Sequence, residues 1–212
     1  ARSSASRDIY MLTGTTTPVN RLQVNGNGDI SFYDTAGTTE KFFWDASAES
    51  LGIGTSSPST ELHVLKSGSD ADVTIEGTGT GVDARINLYA NSTGISQIRF
   101  GDEADTNIGL LTYDHSDDSM QFRTNNSERM RLDASGNLLV GKTATGIGTV
   151  GAELKSTGEL LATVNNDACA FLNRKSSDGD IAVFRKDNTT VGSIGTSGGD
   201  LTIFSSVSGH SG

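Results

Sequence analysis

The chain has little apolar material. Of its 212 residues, only 34% are hydrophobic and 6% aromatic. Leu, Ile, Val and Phe together make up about 22%, just above the level of about 20% below which chains are commonly disordered. The composition therefore disfavours a large globular core. An ordered chain of this kind gains its missing burial from repetitive β structure or from association with other copies of itself.

Basic residues, cysteine and long apolar runs are also scarce. The formal net charge of −10 opposes binding to a nucleic-acid backbone. No apolar run approaches the about 20 residues of a membrane span, so no membrane insertion is predicted. The single cysteine, Cys169, cannot form an intrachain disulfide. Its apolar neighbours in residues 168–172 (ACAFL) predict a packed thiol rather than a reactive one.

Proline is rare, whereas glycine is abundant. The 2 Pro and 26 Gly, with many Ser, Thr, Asn and Asp, supply turns without the proline content of a linker or a collagen. The longest stretch without glycine, residues 110–135, is broken by the polar runs DHSDDS and TNNS. No apolar periodicity of three or four residues persists long enough for a helix. The sequence therefore predicts an all-β fold of short strands and turns.

Short strands with alternating apolar residues recur along the chain. Three follow a Gly-Asp pair, at residues 28–33, 179–184 and 199–204. Others are predicted at residues 61–65, 72–76, 85–89, 97–100, 108–113 and 119–122. A longer repeat aligns residues 40–47 (EKFFWDAS) with 128–135 (ERMRLDAS), and 51–54 with 138–141 after a gap of one residue. Such repetition predicts an elongated stack of β units.

The repeats suggest a division of the chain into four segments. Residues 1–20 are predicted to be an extended N-terminal connector, residues 21–68 a first β repeat, residues 69–141 a central β module with the second repeat, and residues 142–212 a C-terminal β module. The polar opening segment is expected to continue from something upstream.

Three phrases in this sequence resemble the long fibre proteins of marine and cyanobacterial tailed phages. They are SLGIGTSSPSTELHV at residues 50–64, IGLLTYDHSDDSMQF at residues 108–122, and SERMRLDASGN at residues 127–137. The resemblance covers roughly residues 21–141 and weakens beyond them. It implies three intertwined chains, a β-helix-like or β-prism-like shaft, and a place in the virion, on a tail or head appendage. It implies no reaction and no cofactor.

Similar fibres often end in a C-terminal intramolecular chaperone that trimerises the chain and then cuts itself off. Residues 205–212 (SSVSGHSG) do not resemble such a domain. The chain is therefore expected to be either a cleaved product or a part of a longer protein.

Residues 136–143 (GNLLVGKT) match the spacing of a nucleotide-binding P-loop. A P-loop requires a buried strand before the glycine-rich turn and a helix starting near its lysine. Here the variable residues look like the strand itself, and residues 144–151 contain three glycines where the helix should begin. The match is interpreted as a coincidence within a strand-and-turn repeat. Replacing Lys142 is accordingly expected to change neither nucleotide binding nor assembly by much.

Other polar residues offer weaker signs of chemistry. Asp114, His115, Asp117 and Asp118, with acidic residues at 102, 103 and 105, could supply Ca²⁺ ligands or a carboxylate pair of a glycosidase. The spacing lacks the glycine and terminal glutamate of an EF-hand, which favours a solvated turn. Neither His63 nor His210 has a nearby Ser, Cys or acidic residue in an arrangement that suggests a nucleophilic triad. No catalytic, cofactor-binding or metal-binding residue is predicted.

The aromatic and apolar residues of the longer repeat are the predicted trimer core. They are Phe42, Phe43, Trp44, Met130 and Leu132, which are expected to lie near a shared axis or at sheet interfaces. The predicted function is that of a homotrimeric structural fibre of a phage virion, which contributes to host attachment and is not an enzyme. Its expected partners are two further copies, other virion proteins, and a host glycan or outer-membrane receptor. The alternatives are a tailspike-type polysaccharide depolymerase and a cellular trimeric surface adhesin.

Overall fold

The structure is a computed structural model that describes residues 7–205. Within these residues the chain forms strands and turns only, so the predicted all-β fold is confirmed. Sixteen strands form three sheets, and none of the three closes on itself in the described part. Residues 7–205 accordingly contain no helix that is long and apolar enough to cross a membrane.

The first sheet has six strands in chain order. They are β1 (Ile9–Thr13), β2 (Val19–Val24), β3 (Ile30–Tyr33), β4 (Glu40–Asp45), β5 (Ser50–Ile53) and β6 (Leu62–Val64). Neighbouring strands are antiparallel except for β5 and β6, which are parallel. A parallel pair needs a crossover rather than a hairpin turn, and here residues 54–61 provide it.

The second sheet has seven antiparallel strands, also in chain order. They are β7 (Ile95–Phe100), β8 (Gly109–Asp114), β9 (Ser119–Thr124), β10 (Ser127–Leu132), β11 (Leu138–Val140), β12 (Gly151–Leu154) and β13 (Leu160–Thr163). The third sheet is a meander of three strands, β14 (Gly179–Lys186), β15 (Thr189–Ser197) and β16 (Asp200–Ser205).

The chain divides into two compact units, residues 1–86 and residues 87–212. The first sheet belongs to the first unit, and the second and third sheets belong to the second unit. The division follows contacts between strands that are adjacent in sequence, since every sheet is built from consecutive strands. The four predicted segments remain predictions.

The Gly-Asp repeats have a conformational cause. Gly28, Gly179 and Gly199 have φ angles of +100°, +136° and +89° respectively, a region that only glycine enters without steric cost. Each lies at the turn that leads into β3, β14 or β16. Asp29 then accepts a hydrogen bond from the amide of Ala46 (3.0 Å), which ties the turn to the neighbouring hairpin. The recurring sequence is therefore the signature of a recurring turn.

Two predicted strands are wrong. Residues 72–76 and 85–89 belong to a stretch, residues 66–90, that carries no strand and no backbone-to-backbone hydrogen bond among the residues described. Alternating β-branched residues favour an extended chain, but a ladder also needs a partner strand, and residues 7–205 of one chain supply none here. The alternation of apolar residues at 72–76 and 85–89 was therefore not sufficient to predict a strand in the single chain.

β1 lies in residues 1–20, the segment predicted to be an extended connector, and Ile9 and Met11 in it pair with β2; the division of the chain stays a prediction. One expectation for a single residue differs from the structure. The predicted packing of Cys169 is wrong for the single chain, in which its side chain is exposed. It lies in residues 164–178, a second stretch without strands. His210 lies outside the described residues.

Candidate interaction surfaces

One face of the first sheet is covered by apolar side chains in two rows. Residues paired across neighbouring strands point to the same face, so the register defines each row. The rows, from β1 to β6, are Ile9, Val24, Ile30, Trp44, Leu51 and Leu62, and Met11, Leu22, Phe32, Phe42, Ile53 and Val64. We call these twelve residues the first ladder face.

The first ladder face is open in the single chain. None of its side chains is buried, and Phe32 at its middle is 47% exposed. Phe32 and Phe42 stack edge to face, with ring centroids 5.2 Å apart. The residues are thus in contact along the rows, while no part of the chain that the structure describes covers them. An apolar surface of this extent is unusual on a monomeric protein.

The opposite face of the same sheet is covered at its centre by the chain itself. Ser31, Phe43 and Gly52 are paired across β3, β4 and β5, and all three are buried. A Cβ on Gly52 would lie only 2.2 Å from the carbonyl oxygen of Thr55, so the crossover after β5 lies directly on the sheet here. The sheet therefore has one covered side and one open apolar side.

The second sheet repeats this arrangement. Its rows, from β7 to β13, are Ile98, Leu111, Phe122, Met130, Val140, Ala152 and Ala162, and Ser96, Tyr113, Met120, Leu132, Leu138, Leu154 and Leu160. We call these residues the second ladder face. All fourteen are half-buried or exposed, and Leu132 is 44% exposed. Ser96 is the one member without an apolar side chain.

On the other side of the second sheet, the loop between β11 and β12 covers part of β12. Lys142 in this loop donates hydrogen bonds from Nζ to Glu153 Oε2 (2.9 Å) and to the Gly146 carbonyl (2.7 Å). The Gly146 amide donates to the same Glu153 oxygen at 2.8 Å. Both ionic side chains are almost fully buried, and Leu139 beside Glu153 is only 1% exposed. Hydrogen bonds from Lys142 and Gly146 lower the pKa of Glu153.

The longer sequence repeat corresponds to two equivalent hairpins, β4–β5 and β10–β11. The Gly54 amide donates to the Lys41 carbonyl and the Gly141 amide to the Arg129 carbonyl, both at 2.9 Å. Asp45 and Asp133 accept hydrogen bonds from backbone amides of the turns that follow them. The aligned positions therefore have the same structural roles, down to individual hydrogen bonds.

The hairpins differ on their covered side. Phe43 is buried in the first, and Arg131 occupies the aligned position in the second. Arg131 pairs with Glu128 (2.9 Å) and Asp117 (2.8 Å). The hydrogen bonds that Arg131 donates to Glu128 are the main cause of the raised Arg131 pKa. An apolar contact is thus replaced by an ion-pair network at the same place in the repeat.

Four of the five predicted core residues lie on the open faces. Phe42 and Trp44 belong to the first ladder face, and Met130 and Leu132 belong to the second. Phe42 and Met130, which align in the sequence repeat, occupy equivalent positions in the two rows, and so do Trp44 and Leu132. Phe43 lies on the covered side of its sheet instead, since neighbouring residues of a strand point to opposite faces. Sequence reasoning missed the continuity of the rows, because register between strands is not visible in the alternation of one strand.

The P-loop motif does not have the structure of a nucleotide site. Its variable residues form β11, as the sequence predicted, and no helix begins after Lys142 in the described chain. The Lys142 ammonium group faces Glu153 rather than solvent. The expectation that Lys142 is dispensable needs correction, because removing it would leave Glu153 buried without its ionic partner.

The acidic turn at residues 114–118 is held by its own hydrogen bonds. Asp114 accepts from the hydroxyl (2.6 Å) and amide (2.9 Å) of Ser116, and these bonds lower its pKa. Tyr113 donates to Asp118 at 3.1 Å, and Asp117 binds Arg131. Across residues 7–205, no three or more His, Cys, Asp or Glu side chains converge on a possible metal position. His63 lies in β6 and contacts Ser59 only at 3.4 Å.

Neither of two comparisons with known proteins identifies a relative of this chain. A scan against models of protein families finds no match for the chain, and a search of curated proteins finds none either. The two ladder faces and the aligned hairpins are thus the features from which a function can be inferred.

Proposed function

We propose that the chain is a subunit of a homotrimeric structural fibre of a phage virion, carried on a tail or head appendage and contributing to host attachment. The observation that carries the proposal is the pair of ladder faces. Each of the first two sheets has one side on which its own chain buries residues and one apolar side left open. Two further copies of the chain would cover the open sides.

The surface area of the chain supports this assembly. The accessible surface is 15,870 Å². A compact monomer of 22.1 kDa exposes about 9,300 Å², and two separate compact domains of half that mass expose about 11,300 Å² together. The chain thus exposes several thousand Å² more than its mass requires. Obligate oligomers bury about 2,000–5,000 Å² at their interfaces, which is the same order.

A threefold arrangement suits the shape of these surfaces. Closed symmetry gives every copy the same environment, and three sheets can turn one face each towards a common axis. The rows contain Trp44, Phe32 and Phe42 in the first sheet and Phe122 and Met130 in the second. Large aromatic and flexible apolar side chains fill such an inter-chain core well. The small core of the single chain would be completed by its neighbours.

The resemblance to phage fibres supports a place in the virion. The three phrases fall on structural units. Residues 50–64 include β5 and β6, residues 108–122 include β8 and the first four residues of β9, and residues 127–137 include β10 and the turn that follows it. The work of such a repeat is mechanical. It projects an adhesive part from the particle, for which extended repetition of one hairpin is suited.

Electron microscopy of virions labelled with antibodies against this chain tests the proposal. Label is expected on projecting appendages, and the isolated protein is expected to compete with virions for binding to host cells. Label confined to the capsid shell, or no label on any virion, would contradict the proposal. Release of short saccharides from host capsule or lipopolysaccharide would favour a depolymerase instead.

A further inference from the structure

Residues 66–90, which run from the end of the first unit into the second, carry no strand. Two arms of strand-like sequence, residues 72–76 (DVTIE) and 85–89 (RINLY), flank a turn that contains Gly79 and Gly81. The described residues include no backbone-to-backbone hydrogen bond to either arm. Val73 is 73% exposed and Ile86 is 70% exposed. An isolated two-stranded segment of this kind is marginally stable at best in water.

The two arms are poorly matched to each other. Gly77 lies against Asp83, because a Cβ on Gly77 would be only 2.9 Å from the Asp83 carbonyl oxygen. Extending this alignment along antiparallel arms sets Ile75 opposite Arg85 and Thr74 opposite Ile86. The apolar residues of the first arm would then share a face with the polar residues of the second. A shift of one residue moves a whole apolar set to the wrong face, so pairing within one chain cannot build an apolar layer here.

We propose that the two arms pair with the same arms of the other two copies, so that strands between chains replace the missing strands within the chain. Each arm pairs with the same arm of the other copies around the threefold axis. This places Val73 and Ile75 against the same two side chains of the neighbouring copies. Ile86 and Leu88 form a second such layer. This inference rests on the proposed homotrimer and identifies where its chains share backbone hydrogen bonds.

The position of the arms favours copies of the chain as their partners. Leu88 borders a shallow apolar hollow of about 130 Å³ on the second ladder face, together with Ile98, Leu111 and Met120. Its carbonyl accepts a hydrogen bond from the Ser96 hydroxyl at 3.2 Å. The second arm is therefore continuous with the surface through which the copies are proposed to meet. Closing the arms around an axis also leaves no free strand edge.

Hydrogen exchange of the assembled protein, followed by mass spectrometry, tests the inference. Amides of residues 72–76 and 85–89 are expected to exchange at least about 100-fold more slowly than in an unstructured peptide. They would exchange at peptide rates if the arms stayed as the single chain has them. Fast exchange of both arms in a protein that is otherwise a trimer overturns this inference and leaves the proposed function standing. A monomeric wild type overturns both.

Proline substitution provides a second test. Thr74→Pro removes an amide donor that has no acceptor in the single chain, so it should affect only pairing between copies. The variant is expected to lose protection in residues 72–76 and to dissociate at lower denaturant concentration than the wild type. Thr74→Val keeps the amide and is the matched control, expected to assemble as the wild type does. If Thr74→Pro assembles and exchanges as Thr74→Val does, the inference is wrong. If Thr74→Pro fails to fold, exchange of the wild-type arms decides.

Discussion

Two leucines on adjacent strands provide a direct comparison of an open and a closed side of the second sheet. Leu132 in β10 is 44% exposed and lies on the second ladder face, whereas Leu139 in β11 is 1% exposed and lies on the covered side. Changing each to alanine removes the same atoms. The two substitutions should therefore differ in cost only through the surroundings of each side chain.

The expected costs follow from burial. Leu139→Ala empties a fully enclosed site and should lower the free energy of unfolding by about 2–5 kcal/mol. A buried leucine contributes about 1.5–3 kcal/mol by transfer from water, and Leu132 is only a little over half buried in one chain. Leu132→Ala should then cost about 1 kcal/mol in a lone chain. If other copies cover the face, its cost rises to about 2–5 kcal/mol, like that of Leu139→Ala.

Denaturant unfolding followed by circular dichroism measures both costs at one fixed protomer concentration, because oligomer stability depends on concentration. The homotrimer predicts that Leu132→Ala and Leu139→Ala are similarly destabilising. A cost near 1 kcal/mol for Leu132→Ala, beside a full cost for Leu139→Ala, would show that the second ladder face is wet and would refute the reasoning. Small costs for both would contradict the described sheet itself.

Three further outcomes are expected. Trp44→Asp should place a charge on the first ladder face of each copy, which should cost several kcal/mol in the assembly and lower the trimer fraction. Ser56→Asp places the same charge at an exposed loop position and should leave both stability and trimer fraction unchanged. Light scattering measures the trimer fraction of both variants. Lys142→Met should lower the melting temperature by leaving Glu153 unpaired, and calorimetry should detect no ATP binding by either variant or wild type. Folding lowers the pKa of Glu153, so the ionised carboxylate stabilises the protein above its unfolded-state pKa of about 4.3. This stabilisation is lost as the pH falls through the folded-state pKa. Glu153→Gln should therefore reduce the fall of the melting temperature at acid pH. A profile unchanged by Glu153→Gln would exclude this ion pair as a cause of acid sensitivity.

The fold class was predictable because its causes are local. Turns rich in glycine and aspartate recur at short intervals, and Gly28 and Gly179 mark backbone conformations that other residues rarely adopt. The aligned hairpins were predictable for the same reason, since their turns and closing hydrogen bonds depend on neighbouring residues. Local sequence thus predicted many of the strands, including β3, β8, β9, β14 and β16, but not β1, β2, β12, β13 or β15.

Pairing between distant residues was not predictable. Lys142 and Glu153 are eleven positions apart, and only the path of the loop between β11 and β12 brings them together. The same holds for the rows of the ladder faces, which depend on register across six or seven strands. The arms at residues 72–76 and 85–89 fail in the opposite way, because their local sequence favours strands while one chain offers no partner. These misses concern which residues a segment pairs with.

The mass of the native protein in solution tests the central claim most directly. Static light scattering after size-exclusion chromatography should give three times the chain mass of 22.1 kDa, about 66 kDa, as expected of a closed threefold oligomer. The mass should hold on dilution to low micromolar concentration, because the ladder faces cannot remain open in water at little cost. A well-folded species of 22.1 kDa that melts cooperatively would contradict the account.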